Sequence, residues 1–511
     1  MKPDATTQTS DDSSKPILVT GATGYVGGRL VPLLLAAGYR VRACARDPQR
    51  LEKRPWSGHP HVETVAMDAL DLASVTEAVT GCGVIFYLIH SMVAGKGGFA
   101  DADRTAALNM AAVASVRGVR RIIYLGGLGD ADHPGLSAHL RSRHEVEEIF
   151  RNGAVPATCL RAAMILGSGS ASFEMLRYLT DRLPVMITPR WVNTPCQPIS
   201  ISNVLGYLKR CLEVPETIGR TFDIGGPEVL TYRQLIHIYA EMAGLMPRII
   251  VPVPVLTPTL SALWIHLVTP VPSAIARPLA EGLSIPVVCR DKQIQAIVPI
   301  QLQDCRETMR IALNREPQAG QDACDLPPDT RLPPEWAACG DADYAGGTTQ
   351  TMGFRVVLAA EIETVWQVVE AIGGKNGYYG NRWLWLIRGA LDAFVGGPGM
   401  KKKRGPGDRL NPDDRFHFWR VAEVDPPRRL VLESKMKAPG GALMVFQLTP
   451  RSGHTELVLQ SVFLSRGLFG MGYWYGLYPA HQWVFRSMLE GIASQCRARV
   501  LIGPEMIAAG E

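Results

Sequence analysis

Two groups of residues in this 511-residue chain have the types and spacing of working sites. The first is the glycine triplet of "ILVTGATGYVGGRLVPLLLAAG", where Gly21, Gly24 and Gly27 stand between an apolar run ending at Thr20 and the start of a helix. Gly21 permits a tight turn, Gly24 lets the backbone approach a pyrophosphate with no Cβ in the way, and Gly27 allows close helix-to-strand packing. Thr23, Tyr25 and Val26 complete the turn. The helix N-terminus adds free N–H groups and a partial positive charge. A strand before, a helix after and a second strand beyond are the context that a dinucleotide-binding turn requires. The second group lies in "SAHLRSRHEVEEIF", Ser137 to Phe150. As a helix, this segment puts His139, Arg143, Val146 and Phe150 on one face, so two polar residues head an otherwise apolar stripe.

The elements that position these groups follow from the apolar pattern. From Pro16 to about Gly167, the runs "PILVT", "RVRACA", "VETVAM", "GVIFYLI", "RIIYLGG" and "ATCLRAAMI" alternate with helical segments. Such β-α repetition implies an α/β fold, a doubly wound parallel sheet with helices on both faces. Residues 168–315, with the strand "TFDIGGPEVLTY" and Pro-rich connections, read as a substrate-side lobe of the same 16–315 domain. Residues 316–347 are Pro- and Asp-rich without apolar period, which predicts a linker. Beyond it the texture changes to a strand "TMGFRVVLAA" and a helix "EIETVWQVVEAI". Four strand-like runs joined by "DPP", "APGG" and "PRSG" turns follow, an antiparallel meander. A last helix over about Pro479 to Val500 completes a 348–511 domain.

Bulk properties narrow the function classes. The 53 Lys and Arg against 48 Asp and Glu give a net charge of only +5, and no long basic run argues for nucleic acid. The ten cysteines are scattered without a CxxC pair or metal-like cluster, which fits a reducing compartment and small core residues at Cys44, Cys82 and Cys159. Residues 1–15 are polar, lack the apolar core of a secretory signal and read as a disordered tail. The apolar stretch "LTPTLSALWIHLVTPVP" is broken by Pro258, Pro270 and Pro272 and falls short of the roughly 20 residues that span a bilayer. The expectation is a cytoplasmic protein without a transmembrane segment. The run Lys401 to Arg404 reads as a solvated loop.

The GxxGxxG spacing resembles that of the extended and atypical (NmrA-like) short-chain dehydrogenase/reductase families, and the likeness continues over about residues 16–315. "VRACARDPQRL" is similar to the segment ending the second strand in atypical members. An NAD-specific site usually carries an acidic residue there for the ribose hydroxyls. This chain has Ala45 and Arg46, and a guanidinium suits a 2′-phosphate, so NADP(H) is expected over NAD(H). By the same resemblance, Asp68 of "MDALD" lies near the adenine. The backbone of Leu88, Ile89 and His90, within "FYLIHSM", passes the cofactor ribose.

The resemblance fails where the family does its chemistry. Active members place a Ser at the end of the fifth strand and a Tyr-x3-Lys on the next helix, the Lys lowering the phenol pKa for proton exchange. Here Gly126 and Gly127 stand at the Ser positions, and the Tyr-x3-Lys frame falls on His139 and Arg143. His139 as general acid, with Arg143 one turn away, is the surviving catalytic reading. An arginine cannot act as the base, and packing beside the cofactor is the competing role.

Residues of about 350–500 resemble the DUF2867 region, with shared segments such as "IGGKNGYYGNRWLWLIRGALDAFVGGPGM" and "GYWYGLYPAHQWVFRSMLEGIA". The resemblance implies an α+β helix-grip (START/SRPBCC-like) domain, often with an apolar cavity. Alternation in "RRLVLESKMK" puts Leu430, Leu432 and Met436 on one sheet face. Trp383, Trp385, Phe418, Trp474 and Tyr475 read first as core aromatics. His481 reads as a packed histidine. No metal site is expected. The expected activity is NADP(H)-dependent reduction of an apolar small molecule. The alternatives are a non-catalytic redox sensor or assembly factor and a lipid or quinone carrier using the helix-grip domain.

Overall fold

The computed structural model describes residues 15–313 apart from 53, 91–97 and 254–267, and residues 341–507 apart from 343, 348, 374–376 and 401–408. The polar N-terminus, most of the 316–347 linker, the Lys401–Arg404 run and most of the Pro-broken apolar stretch lie outside the described residues. The chain divides into two compact units, residues 1–325 with 333–347, and residues 326–332 with 348–511.

In the first unit, seven strands form one parallel sheet: β1 (Ile17–Val19), β2 (Val41–Ala45), β3 (Val62–Ala66), β4 (Val84–Tyr87), β5 (Arg121–Gly127), β6 (Ala157–Ala162) and β7 (Thr221–Ile224). Their order is β7-β6-β5-β4-β1-β2-β3. All six apolar runs of the β-α repeat become strands, and the "TFDI" strand of the substrate-side block closes the sheet as an edge beside β6. Five helices matter for the site: α1 (Tyr25–Ala36), α2 (Leu72–Val79), α3 (Phe99–Val116), α4 (Ala138–Arg151) and α5 (Ile201–Glu213). Ile17, Val19, Val84 and Phe86 pack with α1 and α5 on one face. Leu18, Ile85 and Tyr87 pack with α2, α3 and α4 on the other. Burial on both faces is why these strands read as continuous apolar runs rather than alternating ones. The order reverses at β1, which lies between β2 and β4, so a crevice opens where the carboxyl ends of β1 and β4 diverge. A further core, including Leu136, Phe173, Leu176, Tyr239 and Val287, is built by segments that follow β5, β6 and β7.

One buried ion pair ties distant sequence into this unit. Arg29 on α1 is 1% exposed and forks onto Asp341 at 2.8 and 2.7 Å. Its guanidinium also donates to the Ser168 carbonyl at 3.1 Å and lies 4.1 Å above the Tyr25 ring. The Tyr178 hydroxyl donates to the backbone carbonyls of Tyr344 (3.0 Å) and Gly347 (2.8 Å). The far end of the Pro- and Asp-rich stretch is therefore held by the first unit.

The second unit is a seven-stranded antiparallel sheet of β8 (Thr349–Leu358), β9 (Arg415–Phe416), β10 (Trp419–Asp425), β11 (Arg429–Ser434), β12 (Gly440–Arg451), β13 (His454–Ser465) and β14 (Val500–Ile507). The order is β9-β10-β11-β12-β13-β8-β14. It carries α6 (Ile362–Glu370), α7 (Arg382–Phe394) and α8 (Gly467–Gln495). The run "RFHFWRVAEVD" is split by a tight turn at His417, whose φ is +48°, so that Phe416 pairs with Trp419. Leu430 and Leu432 are fully buried with Met436 packed on the same core, as the alternation requires, while Val431 faces the other side.

Two boundaries differ from the sequence expectation. Helix α8 starts at Gly467 rather than near Pro479, because its glycines serve packing and do not break the helix: a Cβ at Gly470 would lie 2.4 Å from the Pro439 carbonyl oxygen. Val500 opens the edge strand β14, paired with β8, instead of ending the helix. Of the five aromatics, Trp385, Phe418 and Trp474 are core residues, but Trp383 and Tyr475 are exposed.

Because removing one partner of a buried pair leaves the other charge uncompensated, Asp341→Ala should lower stability by about 3–5 kcal/mol. The check is urea unfolding of the full chain, following the transition of the first unit. The double variant Arg29→Met/Asp341→Leu should recover most of the loss, since it removes both buried charges together.

Candidate functional site

The site begins with backbone meeting backbone. Thr20, the residue after β1, donates through Oγ1 to the Phe86 carbonyl (3.1 Å) and accepts from the Leu88 amide (2.9 Å). This clamps the carboxyl ends of β1 and β4 at the crevice. Gly21 has φ +65°, and a Cβ there would lie 2.7 Å from the Leu88 carbonyl oxygen. A Cβ at Gly27 would lie 2.4 Å from the Gly21 carbonyl oxygen, so α1 can sit this close only with glycine. Gly24 is the N-cap of α1 and gives its first-turn N–H groups no side-chain partner. A cradle lined by backbone, emptied of Cβ atoms and opening on free helix N–H groups fits a dinucleotide pyrophosphate.

The other turn residues divide between cradle and support. The Thr23 carbonyl accepts from Arg54 Nη2 at 2.6 Å. Arg54 is 3% exposed and packs against Gly28, and burial pushes its guanidinium down to about 10. Val26 packs on the core beneath α1. The Tyr25 ring lies under Arg29, and its buried hydroxyl has no hydrogen-bond partner among the described residues. Arg46 is exposed just past β2, while Asp68 is exposed past β3 and accepts from the Leu70 amide at 3.0 Å. Arg46 and Asp68 thus follow two neighbouring strands, on the outer side of β1.

The second group lies on the β4 side. Helix α4 begins with Ser137 as its N-cap, accepting from the Leu140 amide, and buries His139, Val146 and Phe150 on one stripe. The His90 and His139 rings are 4.6 Å apart between centroids. His90 Nδ1 lies 3.3 Å from Asp103 Oδ2, and Ser142 Oγ donates to the same oxygen at 3.0 Å. Arg143 donates to the Ile89 carbonyl at 3.3 Å and receives the Tyr124 hydroxyl on its own carbonyl at 3.1 Å. Leu88, Ile89 and His90 therefore connect the glycine turn to His139 and Arg143. Contacts thus run from the glycine turn through Leu88–His90 to His139 and Arg143, while Arg46 and Asp68 follow β2 and β3.

Electrostatics fix the charge states. Burial, then the Arg143 cation, lower His90 to about 4, with Asp103 opposing. Burial, His90 and Arg143 hold His139 well below the usual histidine range. Both imidazoles are neutral near pH 7. A neutral imidazole is a hydrogen-bond donor and a poor acid, which alters the role read from sequence.

The positions of Gly126 and Gly127 leave no room for a side chain without movement of their neighbours. A Cβ at Gly127 would meet Leu140 Cδ2 at 2.7 Å, and one at Gly126 would meet the Tyr124 ring at 2.9 Å. Gly127 and His139 share the wall of a cavity of about 200 Å3 lined mainly by apolar side chains such as Met164, Leu176, Met186 and Leu283. Thr188 Oγ1 and Trp191 Nε1, both on residues of this lining, are buried and have no hydrogen-bond partner among the described residues.

Sequence reasoning missed Asp103, Ser142, Thr20 and Arg54. Asp103 alone left a usable signal, a carboxylate on the buried stripe that α3 forms with Ala106, Ala107, Met110 and Val113. No group of three or more metal-ligating side chains occurs among the described residues.

Comparison with known proteins matches residues 21–178 to a family described as NAD(P)H-binding. Residues 351–488 match one described as a protein of unknown function, DUF2867. The chain is 27% identical over 237 residues to mitochondrial NADH dehydrogenase [ubiquinone] 1 alpha subcomplex subunit 9 of Arabidopsis thaliana, covering 45% of this chain and 58% of that one. It is 41% identical over 87 residues to dihydroflavonol 4-reductase of Hordeum vulgare, 16% of this chain and 25% of the relative. To a (4-alkanoyl-5-oxo-2,5-dihydrofuran-3-yl)methyl phosphate reductase of Streptomyces griseus it is 28% identical, over 43% and 70% of the two chains. The chain thus spans little more than half of the first of these relatives and a quarter of the second. Among solved structures, Citrobacter sp. triphenylmethane reductase complexed with NADP(H) aligns at 20% identity and TM-score 0.47, over 58% of this chain and 100% of that one. An NADPH-dependent quinone oxidoreductase of Escherichia coli aligns at 17% identity and TM-score 0.45, over 57% and 98%. An NAD(P)H-binding Rossmann domain followed by a DUF2867 region is the organisation these matches support.

The buried histidines make a pH prediction. Unfolding frees His90 to titrate near its ordinary 6.5, against about 4 when folded. The unfolded chain therefore binds the extra proton, and stability is full above pH 6.5 and falls as pH drops toward 4. The loss assigned to His90 is about 3 kcal/mol. The melting temperature of the wild type should fall more steeply between pH 7 and 5 than that of His90→Gln/His139→Phe. Equal slopes would show that these imidazoles are not buried neutral.

Proposed function

We propose that the first unit is an NADP(H)-dependent reductase of an apolar conjugated carbonyl compound, a quinone or enone, held in the cavity beside His139. The observation that carries this reading is that Gly127 and His139, which end β5 and begin α4, line one predominantly apolar cavity. A bound dinucleotide would supply the hydride. The residues present fit such a group: the Gly21–Gly27 cradle would hold the pyrophosphate, and the Leu88–His90 backbone would lie along the ribose.

Neutral His139 donates a hydrogen bond to the oxygen on which negative charge develops, and is not asked to give up its proton. A conjugated acceptor suits this, because its reduced oxyanion is a weak base that takes its proton from water. Arg143 acts on His139 through space, its cation opposing protonation of the imidazole. Thr188 Oγ1 and Trp191 Nε1 offer polar points for a ligand within apolar walls. The exposure of Arg46, followed by an Asp47 that caps the Gln49 amide, supports a role for its guanidinium toward a 2′-phosphate.

A second reading, a dinucleotide-binding sensor or assembly factor, is favoured by the filled serine position, where Leu140 and Tyr124 occupy the space beside Gly127 and Gly126. In the second unit, a long helix packed on an antiparallel sheet supports the helix-grip assignment.

Arg46→Asp should weaken NADPH binding about ten- to a hundred-fold and leave NADH nearly unchanged, measured by fluorescence titration. Equal weakening of both would remove the 2′-phosphate role. His139→Phe should lower kcat/KM for quinone reduction about a hundred-fold with NADPH affinity retained. If the wild type binds NADPH but oxidises it with no quinone or enone offered, the sensor reading replaces the reductase.

A further inference from the structure

The second unit carries an apolar face that its own core does not use. On α7, Trp383, Leu386, Ile387, Leu391, Phe394 and the following Val395 are exposed, with Phe394 at 89%. Their spacing makes one stripe along the helix. On α8, Leu468, Phe469, Tyr475 and Trp483 are exposed, with Phe469 at 78%. The two helices run antiparallel and side by side. Asn381 bonds Ser487 at 2.6 Å, the Trp383 and Trp483 rings are 6.0 Å apart, and Arg388 lies 5.6 Å over Tyr473. The same course carries Phe394 and Val395 toward Leu468 and Phe469, so the two stripes make one surface. Gly472 and Gly476, exposed with open space where a Cβ would be, keep the α8 side low.

Cations stand at the margin of this surface. Arg382 and Arg466 are exposed at its ends, and Lys437 Nζ lies 3.4 Å from where a Cβ of Gly396 would be. Helix α7 itself has Arg382 and Arg388 against a single acid, Asp392. That acid is fully buried and accepts from the Gly399 and Lys437 amides. On α8 the single acid is Glu490, past Trp483, and Arg486 neutralises it at 3.2 Å. A second copy of the chain seated on this face would bring like charges together, which opposes self-association. Tryptophan and tyrosine on an aliphatic face rimmed by cations instead match the chemistry of an anionic lipid surface. No helix among the described residues is long and apolar enough to cross a membrane, so the contact is interfacial.

We propose that the α7–α8 face of the second unit docks on anionic lipid bilayers, lying in the interface without spanning it. This inference is independent of the reductase reading. The test is sedimentation of the full chain with vesicles of phosphatidylcholine alone and of phosphatidylcholine containing one quarter phosphatidylglycerol. Binding to the anionic vesicles should exceed that to the neutral ones about ten-fold or more and fall in high salt. Phe394→Asp/Phe469→Asp should abolish it, and the charge reversal Lys437→Glu/Arg466→Glu should weaken it about ten-fold. Circular dichroism melts unchanged from wild type establish that both variants fold, and NADPH binding is retained. Absence of vesicle binding overturns the proposal, as does binding equal on both vesicles or insensitive to both variants. A dimer in light scattering that Phe394→Asp/Phe469→Asp dissociates overturns it in favour of a self-interface.

Discussion

The first unit depends on a contact between backbones, the approach of α1 to the turn that leaves β1. A Cβ at Gly27 would stand 2.4 Å from the Gly21 carbonyl oxygen, and one at Gly21 would stand 2.7 Å from the Leu88 carbonyl oxygen. These spacings at the two glycines tolerate hydrogen and nothing larger. They set how closely α1 lies on the sheet, how β1 and β4 part at the crevice, and where free amide groups face outward. The Thr20 hydroxyl bonds the same junction from within, joining the Phe86 carbonyl to the Leu88 amide.

From that junction, burial determines the chemistry. Asp103 and Ser142 share a hydrogen bond, His90 approaches the same carboxylate, and the His139 ring lies tilted against His90. Low dielectric surroundings and the Arg143 cation favour neutral imidazole over imidazolium in both rings. Helix α4 therefore has two roles in one stripe. Val146 and Phe150 are 2% and 1% exposed and belong to the sheet core, while His139 ends the stripe at the wall of a cavity. The side chains that fill the space beside Gly127 and Gly126, Leu140 and Tyr124, come from the same helix and the strand before it.

The second unit divides its aromatic residues between two solvents. Trp385, Phe418 and Trp474 join the aliphatic core formed by the sheet and α8. Trp383, Trp483 and Tyr475 lie outside it, on neighbouring turns of the same helices. Both α7 and α8 are thus apolar on more than the face that the core consumes, and the cations stand at the margin of the surplus.

Much of this was legible in the sequence. Strand positions in the first unit followed from six apolar runs, and the dinucleotide turn from the spacing of Gly21, Gly24 and Gly27. The absence of a Ser and a Tyr-x3-Lys at the end of β5 and on α4 was read from Gly126, Gly127, His139 and Arg143. In the second unit the glycines of α8 hid its first half, because a glycine that permits close packing is written like one that ends a helix. The strand Val500–Ile507 carried too few buried residues to be read, being an edge with most side chains exposed. What the sequence determined by itself was local: periodicity, turn chemistry and the absence of particular reactive groups depend on residues close along the chain. Only the tertiary structure decided the pairing of Arg29 with Asp341, of His90 with Asp103, and of Gly127 with Leu140. Those contacts, and the charge state of His139 that follows from burial, depend on which distant segments share a volume too small for water.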